Sequence, residues 1–191
     1  MNRITVFCGS NNGLNPNFKE AAYSMGQTMA LRGINLVYGG ARVGLMGAVA
    51  DGILDNNGKV YGVIPRFLQE KELAHNHITE TFVVETMHER KAKMSELCDG
   101  IIALPGGFGT FEELFEMLTW AQLGLHKKPI GILNTDGYYD TLLKFIDETI
   151  AQHFVKEEYR NLFVVSDNPD KLIELMKAFR PPLNDKWFVT T

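Results

Sequence analysis

Residues 100–118 read GIIALPGGFGTFEELFEML and contain, in order, an apolar run, a cluster of glycines and a helical pattern. The run 100–104 is short and apolar on both faces, which is typical of a buried strand. Three glycines follow within 106–109, and an amphipathic pattern continues from 110 to about 123. A strand, a glycine loop and a helix in this order predict one βα unit of a parallel sheet.

The same alternation of strand and helix patterns extends along the chain. Short apolar runs predict further strands at 4–8, 34–38, 60–64, 82–84, 130–133 and 163–165. Amphipathic segments predict further helices at 16–31, 45–54, 87–97, 138–153 and 169–179. We therefore predict a single α/β domain over residues 1–191, with a Rossmann-like parallel sheet covered by helices on both faces. Residues 66–78 are predicted to be irregular, and residues 180–191 to form a loose tail or a partner-contacting arm.

Composition and charge restrict the classes of protein to consider. A chain of 191 residues with a net charge of −4 disfavours two ordinary enzyme domains and a broad basic surface for nucleic acid. The two cysteines, Cys8 and Cys98, are predicted to be free, buried thiols in a reducing compartment. The N-terminus lacks signal-peptide features, and no apolar run approaches the roughly 20 residues that span a bilayer. We expect a cytoplasmic protein with no membrane and no nucleic-acid partner.

Glycines follow three of the predicted strands, at 9–13, 39–47 and 106–109. In an open α/β sheet, ligands bind beyond the carboxyl ends of the strands, and glycine lets the backbone approach a ligand closely. Three such loops at one sheet edge predict a nucleotide-sized site. Their candidate contact residues are Gly9, Ser10, Gly39, Gly40, Gly106, Gly107 and Gly109.

The motifs of several common sites are missing from the sequence. The first loop, GSNNG at 9–13, does not match G-x-G-x-x-G, and Gly39 and Gly40 stand where a dinucleotide fold has an acidic residue. A Walker motif and G-x-S-x-G are also missing. His75 and His77 have no third ligand at metal-site spacing, so we predict two loop histidines and no metal site.

The glycine loop at 106–109 and the residues after it allow two interpretations. The glycines expose the first N–H groups of a helix, where an anion such as phosphate is stabilised by the helix dipole. Alternatively, Thr110 is the N-cap and Glu113 the third helical residue of a capping box, which needs no catalysis. The glycines favour the phosphate site, because a cap requires none of them.

A cation for the phosphate is predicted on the helix that begins near Met87. This helix starts at the same sheet edge as the glycine loops, and Arg90 can bind a phosphate or a carboxylate through two parallel hydrogen bonds. Lys91 and Lys93 fit a solvated helix face, although the position of this helix beside the glycine loop weakens that interpretation.

Four segments together resemble one known family. Residues 105–113, PGGFGTFEE, fit its P-G-G-x-G-T-x-x-E signature, and Arg90-Lys91 fit its R-K pair. Residues 39–47, GGARVGLMG, and residues 7–10, FCGS, complete the pattern. Over nearly its whole length the chain resembles the LOG (Lonely Guy) family of cytokinin riboside 5′-monophosphate phosphoribohydrolases. Asn11 departs from the pattern, since many members have a second serine there, which affects expected substrate contacts and not the reaction class.

The resemblance implies an activity and a set of site residues. Members hydrolyse the N-glycosidic bond of a nucleoside 5′-monophosphate, releasing the free base and ribose 5-phosphate without a cofactor. It implies that Arg90 and Glu113 are the catalytic pair. It further implies a homodimer, in some members a larger oligomer, with the site near the subunit interface. The substrate contacts that it implies are Lys91, Gly107, Gly109, Thr110 and Glu112, with Glu72 and Thr119 as further binding candidates.

Three other functions remain to be compared with this one. Relatives have carried the label lysine decarboxylase, but that reaction needs a Schiff-base lysine, and Lys91 is the nearest candidate to the glycine motif. A general nucleotide-salvage hydrolase would use the same chemistry on another base. A non-catalytic nucleotide carrier would bind the same ligand without turnover.

Overall fold

The computed structural model describes residues 1–69, 74–75 and 77–182. Seven strands form one fully parallel sheet in the order β4-β3-β2-β1-β5-β6-β7. Their bounds are β1 Arg3–Phe7, β2 Asn35–Tyr38, β3 Val60–Pro65, β4 Glu80–Val84, β5 Gly100–Ala103, β6 Ile130–Leu133 and β7 Phe163–Ser166. The predicted α/β class and parallel sheet are confirmed.

The described residues contain seven α-helices, of which the first six connect strands and the last follows β7. They are α1 Pro16–Leu31, α2 Gly44–Leu54, α3 Arg66–Gln69, α4 Met87–Glu96, α5 Phe108–Gln122, α6 Asp140–Ala151 and α7 Pro169–Ala178, with 3₁₀ turns at Thr135–Gly137 and Glu157–Leu162. Their bounds agree closely with the predicted helices, except at the start of α5 and of α6. Both exceptions lie beside the site described below.

Side chains that alternate along each strand divide the core into two layers. Ile4 and Val6 of β1 face one layer, which also holds the buried residues of α1, α2 and α7. Phe7 and the strand residue Val37 face the other layer, which holds the buried residues of α4, α5 and α6. Because both faces of the sheet are covered, its strands read as the continuous apolar runs seen in the sequence.

Two elements differ from their predictions. β4 begins at Glu80, two residues before the apolar run, because parallel pairing with Tyr61 uses only backbone groups. Residues 66–69 form a short helix inside the segment that was predicted to be irregular. Residues 183–191 lie outside the described residues, and so does most of the predicted tail. None of the described helices is long and apolar enough to cross a membrane.

Helices α1 and α2 pack closely through two glycines. A Cβ on Gly52 would overlap the carbonyl oxygen of Tyr23 and lie 3.0 Å from the amide nitrogen of Gln27. A Cβ on Gly26 would overlap the carbonyl oxygen of Val49. The two helix backbones therefore approach each other as closely as glycine alone allows.

Gly52→Ala is expected to lower the free energy of unfolding by about 2–4 kcal/mol, because the backbone must move to admit the methyl group. This loss would reverse the gain of roughly 1 kcal/mol that alanine normally brings to a helix. Urea unfolding followed by circular dichroism measures it. The matched control is Gly109→Ala in α5, where the added Cβ meets no atom within 4 Å, so no loss is expected. Equal stability of the Gly52 variant and the control would contradict this account of the helix pair.

Candidate active site

The sheet changes its winding direction at β1. β1 pairs with β2 on one side, with Ile4 opposite Leu36, and with β5 on the other, with Thr5 opposite Ile101. Connections after β1 and β5 therefore leave in opposite directions, which opens a crevice beyond their carboxyl ends. A pocket of about 490 Å³ lies there, a volume suited to a nucleotide-sized ligand.

Backbone hydrogen bonds join the three glycine loops around this pocket. The N–H of Gly9 donates to the carbonyl of Pro105 over 3.0 Å, which links the loop after β1 to the loop after β5. The N–H of Leu45, in the first turn of α2, donates to the carbonyl of Gly9 over 3.0 Å. Gly44 has a φ of +60°, and a Cβ there would overlap the backbone of Ser10. The loops thus form one continuous wall.

The capping-box interpretation of Thr110 and Glu113 is wrong. α5 begins two residues earlier, at Phe108, and Gly107 is its N-cap, with φ −103° and ψ −152°. Thr110 is then the third helical residue and Glu113 the sixth, so Glu113 lies in the second turn. The threonine–glutamate spacing mimicked a cap, but the glycines before it can enter the helix, which moves its start.

The N-terminus of α5 has no side-chain cap. Its first N–H groups have no acceptor inside the helix, and no side chain replaces one. A Cβ on Gly107 or Gly109 would meet no atom within 4 Å, so the space beside these backbone groups is open. An uncapped helix start that lines an open pocket has the geometry and partial positive charge that suit an anion such as phosphate.

Two tyrosines that the sequence analysis missed form hydrogen bonds to the loop after β5. The hydroxyl of Tyr139 is buried and donates to the carbonyl of Leu104 over 2.6 Å. The hydroxyl of Tyr138 donates to the carbonyl of Gly106. The rings of Tyr138 and Phe18 meet edge to face at 5.3 Å, and both line the pocket. Both tyrosines lie outside any recognisable motif, so only their contacts identify them.

Arg90 brings a buried positive charge to the pocket. Arg90 is only 8% exposed, and its Nε donates to the carbonyl of Val63 over 3.1 Å. Its Nη2 donates to the carbonyl of Gly39 over 3.3 Å. A Cβ on residue 39 would overlap that nitrogen, which explains the glycine. Within the described residues no carboxylate forms an ion pair with Arg90, so its charge is available to a bound anion.

Glu113 is the carboxylate of the same pocket. Burial raises its pKa from the ordinary 4.5 to about 7; nearby Glu112 and Glu116 add to this rise, while Arg90 and Lys91 oppose it. The protonated and ionised forms of Glu113 are therefore both populated near neutral pH. A carboxyl group with such a pKa can exchange a proton with a ligand or stabilise a positive charge that develops beside it.

Lys91 does not line the pocket, although it directly follows Arg90 on α4. It is buried, with 5% exposure, and its Nζ pairs with Glu112 and, at 3.0 Å, with Oε1 of Glu116. Burial lowers the pKa of Lys91, but its hydrogen bonds to the two carboxylates outweigh this effect and leave the pKa raised. The predicted solvated surface charge is therefore wrong for Lys91.

The structure brings most of the predicted site residues together. Those that line the pocket are Gly9, Ser10, Gly39, Arg90, Gly106, Gly107, Gly109, Thr110 and Glu113. Those that do not line it are Gly40, Lys91, Glu112 and Thr119. Thr119 is exposed, and its hydroxyl donates to the carbonyl of Phe115 over 2.7 Å. Glu72 lies outside the described residues.

Among the described residues, His75 and the two cysteines are not arranged for metal binding or nucleophilic attack. His75 lies 3.3 Å from Asp51, Nε2 to Oδ1, and within the described part of the chain no group of three or more ligand side chains could hold a metal ion. Cys8 lines the pocket, but burial, with a further contribution from Glu113, holds the pKa of its thiol well above the usual range. Both cysteines are free; Cys98 is buried, as predicted, whereas Cys8 is only half-buried.

Comparisons with known proteins agree with this geometry. The family model described as "Possible lysine decarboxylase" matches residues 46–176. A cytokinin riboside 5′-monophosphate phosphoribohydrolase of Arabidopsis thaliana is 46% identical over 183 residues, which cover 96% of this chain and 80% of that protein. The chain belongs to the LOG family. A probable enzyme of the same name from Oryza sativa subsp. japonica is 49% identical over 177 residues, covering 93% and 79% of the two chains.

Solved structures show that proteins with other names share this fold. The molybdenum cofactor binding protein of Rippkaea orientalis superposes with a TM-score of 0.69 at 25% identity, covering 92% of this chain and 95% of that one. The molybdenum cofactor carrier protein of Chlamydomonas reinhardtii gives 0.70 at 21% identity, covering 93% and 96%, which shows the fold alone.

The residues of this LOG-family chain do not fit pyridoxal phosphate, which a lysine decarboxylase would require. Such a cofactor needs a lysine amine in the pocket, and no lysine is among the described residues that line it. The nearest lysine amine, that of Lys91, is held by two carboxylates.

The raised pKa of Glu113 predicts how the free energy of unfolding depends on pH. Between pH 4.5 and about 7 the folded protein binds a proton at Glu113 that the unfolded chain releases, so this carboxyl lowers the free energy of unfolding as pH rises. Glu113→Gln removes the penalty. We expect this variant to exceed wild type by about 1–3 kcal/mol at pH 8, with the gap closing by pH 4.5.

Urea unfolding curves measured across this pH range provide the check. Glu20→Gln, which changes an exposed carboxylate on α1, is the matched control and should follow the wild-type curve. Parallel stability curves for wild type and the Glu113 variant would show that Glu113 titrates normally.

Proposed function

We propose that this protein hydrolyses the N-glycosidic bond of nucleoside 5′-monophosphates of the cytokinin type, releasing the free base and ribose 5-phosphate. The observation that carries the proposal is that Arg90, Glu113 and the uncapped start of α5 line one pocket. Relatives that are 46% and 49% identical over most of the chain, and bear the name of this reaction, support it.

The N-terminus of α5 binds the 5′-phosphate in this proposal. Backbone N–H groups at residues 107–110 donate to the phosphate oxygens, and the helix dipole favours their charge. The open space at Gly107 and Gly109 lets the phosphate approach the backbone, while Gly9 and Ser10 form the facing wall. Binding at this remote group fixes the ribose relative to the catalytic side chains.

Glu113 acts on the ribose. Cleavage of the bond between C1′ and the base nitrogen leaves positive charge on the sugar, and the ionised carboxylate stabilises that charge or activates the attacking water. The bonding electrons leave with the base, which gains a proton, and the hydroxyl of the water joins C1′. Arg90 orients Glu113, binds the phosphate or assists the leaving base. Its guanidinium is fixed for any of these roles by the carbonyls of Val63 and Gly39.

Two related functions predict different results in one assay. A nucleotide-salvage hydrolase would release base from several ordinary nucleoside monophosphates, whereas a cytokinin-type enzyme would prefer isopentenyl-AMP to AMP. A carrier would bind these nucleotides without releasing base, and the resemblance in fold to a molybdenum cofactor binding protein gives this reading its support. Incubation with a nucleotide panel and chromatography of the free bases separates the three.

Glu113→Gln is expected to lower kcat/KM for base release at least about 100-fold, because the neutral amide cannot stabilise positive charge on the ribose. Arg90→Ala should cause a similar loss. Arg90→Lys should not restore activity, since one ammonium cannot replace two guanidinium hydrogen bonds to separate carbonyls. Base release from AMP and isopentenyl-AMP is the measurement, and Glu20→Gln is the control. Full activity of the Glu113 variant would remove it from the mechanism.

We also propose that the chain forms a homodimer in the cytoplasm. Large apolar side chains are exposed on the elements around edge strand β4, namely Phe67 on α3, Val83 on β4 and Met87 on α4. A partner surface would remove them from water. Light scattering after size exclusion should give twice the 21.5 kDa of one chain. Val83→Lys should shift the protein towards the monomer. Phe154→Lys, which changes an exposed side chain after α6, should not.

A monomeric wild-type protein at micromolar concentration would contradict the homodimer. The two free thiols at Cys8 and Cys98 are consistent with the reducing cytoplasm, which supports the proposed location.

A further inference from the structure

Helices α4 and α5 each present two neighbouring charged residues, and one of each pair lines the pocket. On α4 these are Arg90, which lines the pocket, and Lys91, which does not. On α5 they are Glu113, which lines it, and Glu112, which does not. Consecutive helical residues point about 100° apart, so each helix carries one charge towards the pocket and one towards the other helix.

The two charges outside the pocket meet a third. Nζ of Lys91 pairs with Glu112 and lies 3.0 Å from Oε1 of Glu116. Glu112 and Glu116 are four residues apart and share a face of α5. We call Lys91, Glu112 and Glu116 the charge clamp. The clamp joins the helix that carries Arg90 to the helix that carries Glu113.

Burial distinguishes the charge clamp from an ordinary surface ion pair. Lys91 is 5% exposed, and the side chain of Glu116 is 23% exposed. Oε2 of Glu116 is buried and has no hydrogen-bond partner among the described residues, so Lys91 is the cation that compensates this carboxylate. The side chain of Glu112 is 55% exposed, so the buried pair within the clamp is Lys91 and Glu116. Removing either of these two leaves an uncompensated charge, so this pair constrains both helices.

We propose that Lys91 is a positioning residue and not a ligand of the substrate: through Glu112 and Glu116 it sets the spacing and the charge balance between Arg90 and Glu113. This inference rests on the proposed function for the role of the last two residues. It reassigns Lys91 and Glu112, which the family resemblance implies to be substrate contacts.

The electrostatic consequence has a definite sign for each member of the clamp. The charged groups around Glu113 are Arg90 and Lys91 on α4 and Glu112 and Glu116 on α5. The titratable thiol of Cys8, after β1, also interacts with Glu113 but is uncharged. The cation Lys91 lowers the pKa of Glu113, and the carboxylates Glu112 and Glu116 raise it. Neutralising Lys91 should therefore raise that pKa, and neutralising either clamp carboxylate should lower it.

The test compares Lys91→Met, Glu116→Gln and the triple variant Lys91→Met/Glu112→Gln/Glu116→Gln. Lys93→Met is the matched control, because Lys93 lies on the same helix but pairs with exposed Glu96 at 3.1 Å. The readouts are kcat and KM for base release, Kd for ribose 5-phosphate, and the pKa of Glu113 in the free protein by carboxyl ¹³C NMR.

The expected result for Lys91→Met is a fall in kcat of about tenfold with Kd for ribose 5-phosphate within about twofold of wild type. The pKa of Glu113 should rise in this variant, fall in Glu116→Gln and stay unchanged in the control. A tenfold weaker Kd with an unchanged pKa would make Lys91 a substrate ligand and overturn the proposal.

Two arms keep the proposal testable if a variant or the assay fails. The triple variant leaves no unpaired buried charge, so it should fold even if Lys91→Met does not; wild-type kcat in this variant would overturn the proposal. If wild type releases no base, the proposed function fails, while the NMR titration still decides whether the clamp controls Glu113.

Discussion

The hydrogen bond from the N–H of Gly9 to the carbonyl of Pro105 joins the two halves of the sheet where the pocket opens. β1 and β5 are neighbours, but the helices that follow them, α1 and α5, pack on opposite faces of the sheet. Without a link beyond the strand ends, the loops after β1 and β5 would separate as independent surface segments. With this link they form a single wall, and the glycines of both loops reflect how closely the two backbones pass.

The site places opposite charges on buried and half-buried side chains, and it balances them in two layers. The inner layer is Arg90 and Glu113, which line the pocket. The outer layer is the charge clamp, in which Lys91 is saturated by two carboxylates. A buried arginine fixed by backbone carbonyls keeps its charge for a ligand, whereas a buried lysine between two glutamates has none to offer. Arg90 is thus placed to bind a ligand, whereas Lys91 is placed to join the two helices.

The sequence predicted the parts of the structure that depend on local pattern. Apolar runs located the strands of a sheet buried on both faces, and glycines after strands located the pocket. It failed where a backbone or a distant side chain decides. Glu80 joins β4 through backbone pairing alone, and α5 begins at Phe108 because glycine can enter a helix. Tyr138 and Lys91 take their roles from partners about 30 and 20 residues away, which no spacing rule reports.

The turn at residues 134–139 supports two walls of the pocket. Asp136, with a φ of +51°, accepts hydrogen bonds from the side-chain amides of Asn15 and Asn17 at the start of α1, each over 2.7 Å. Three residues later, Tyr139 holds the loop after β5. One short turn thus fastens two walls of the pocket that are far apart in sequence. An insertion there would loosen both walls at once, so the length of this turn is as much a part of the recognition site as the residues that touch the ligand.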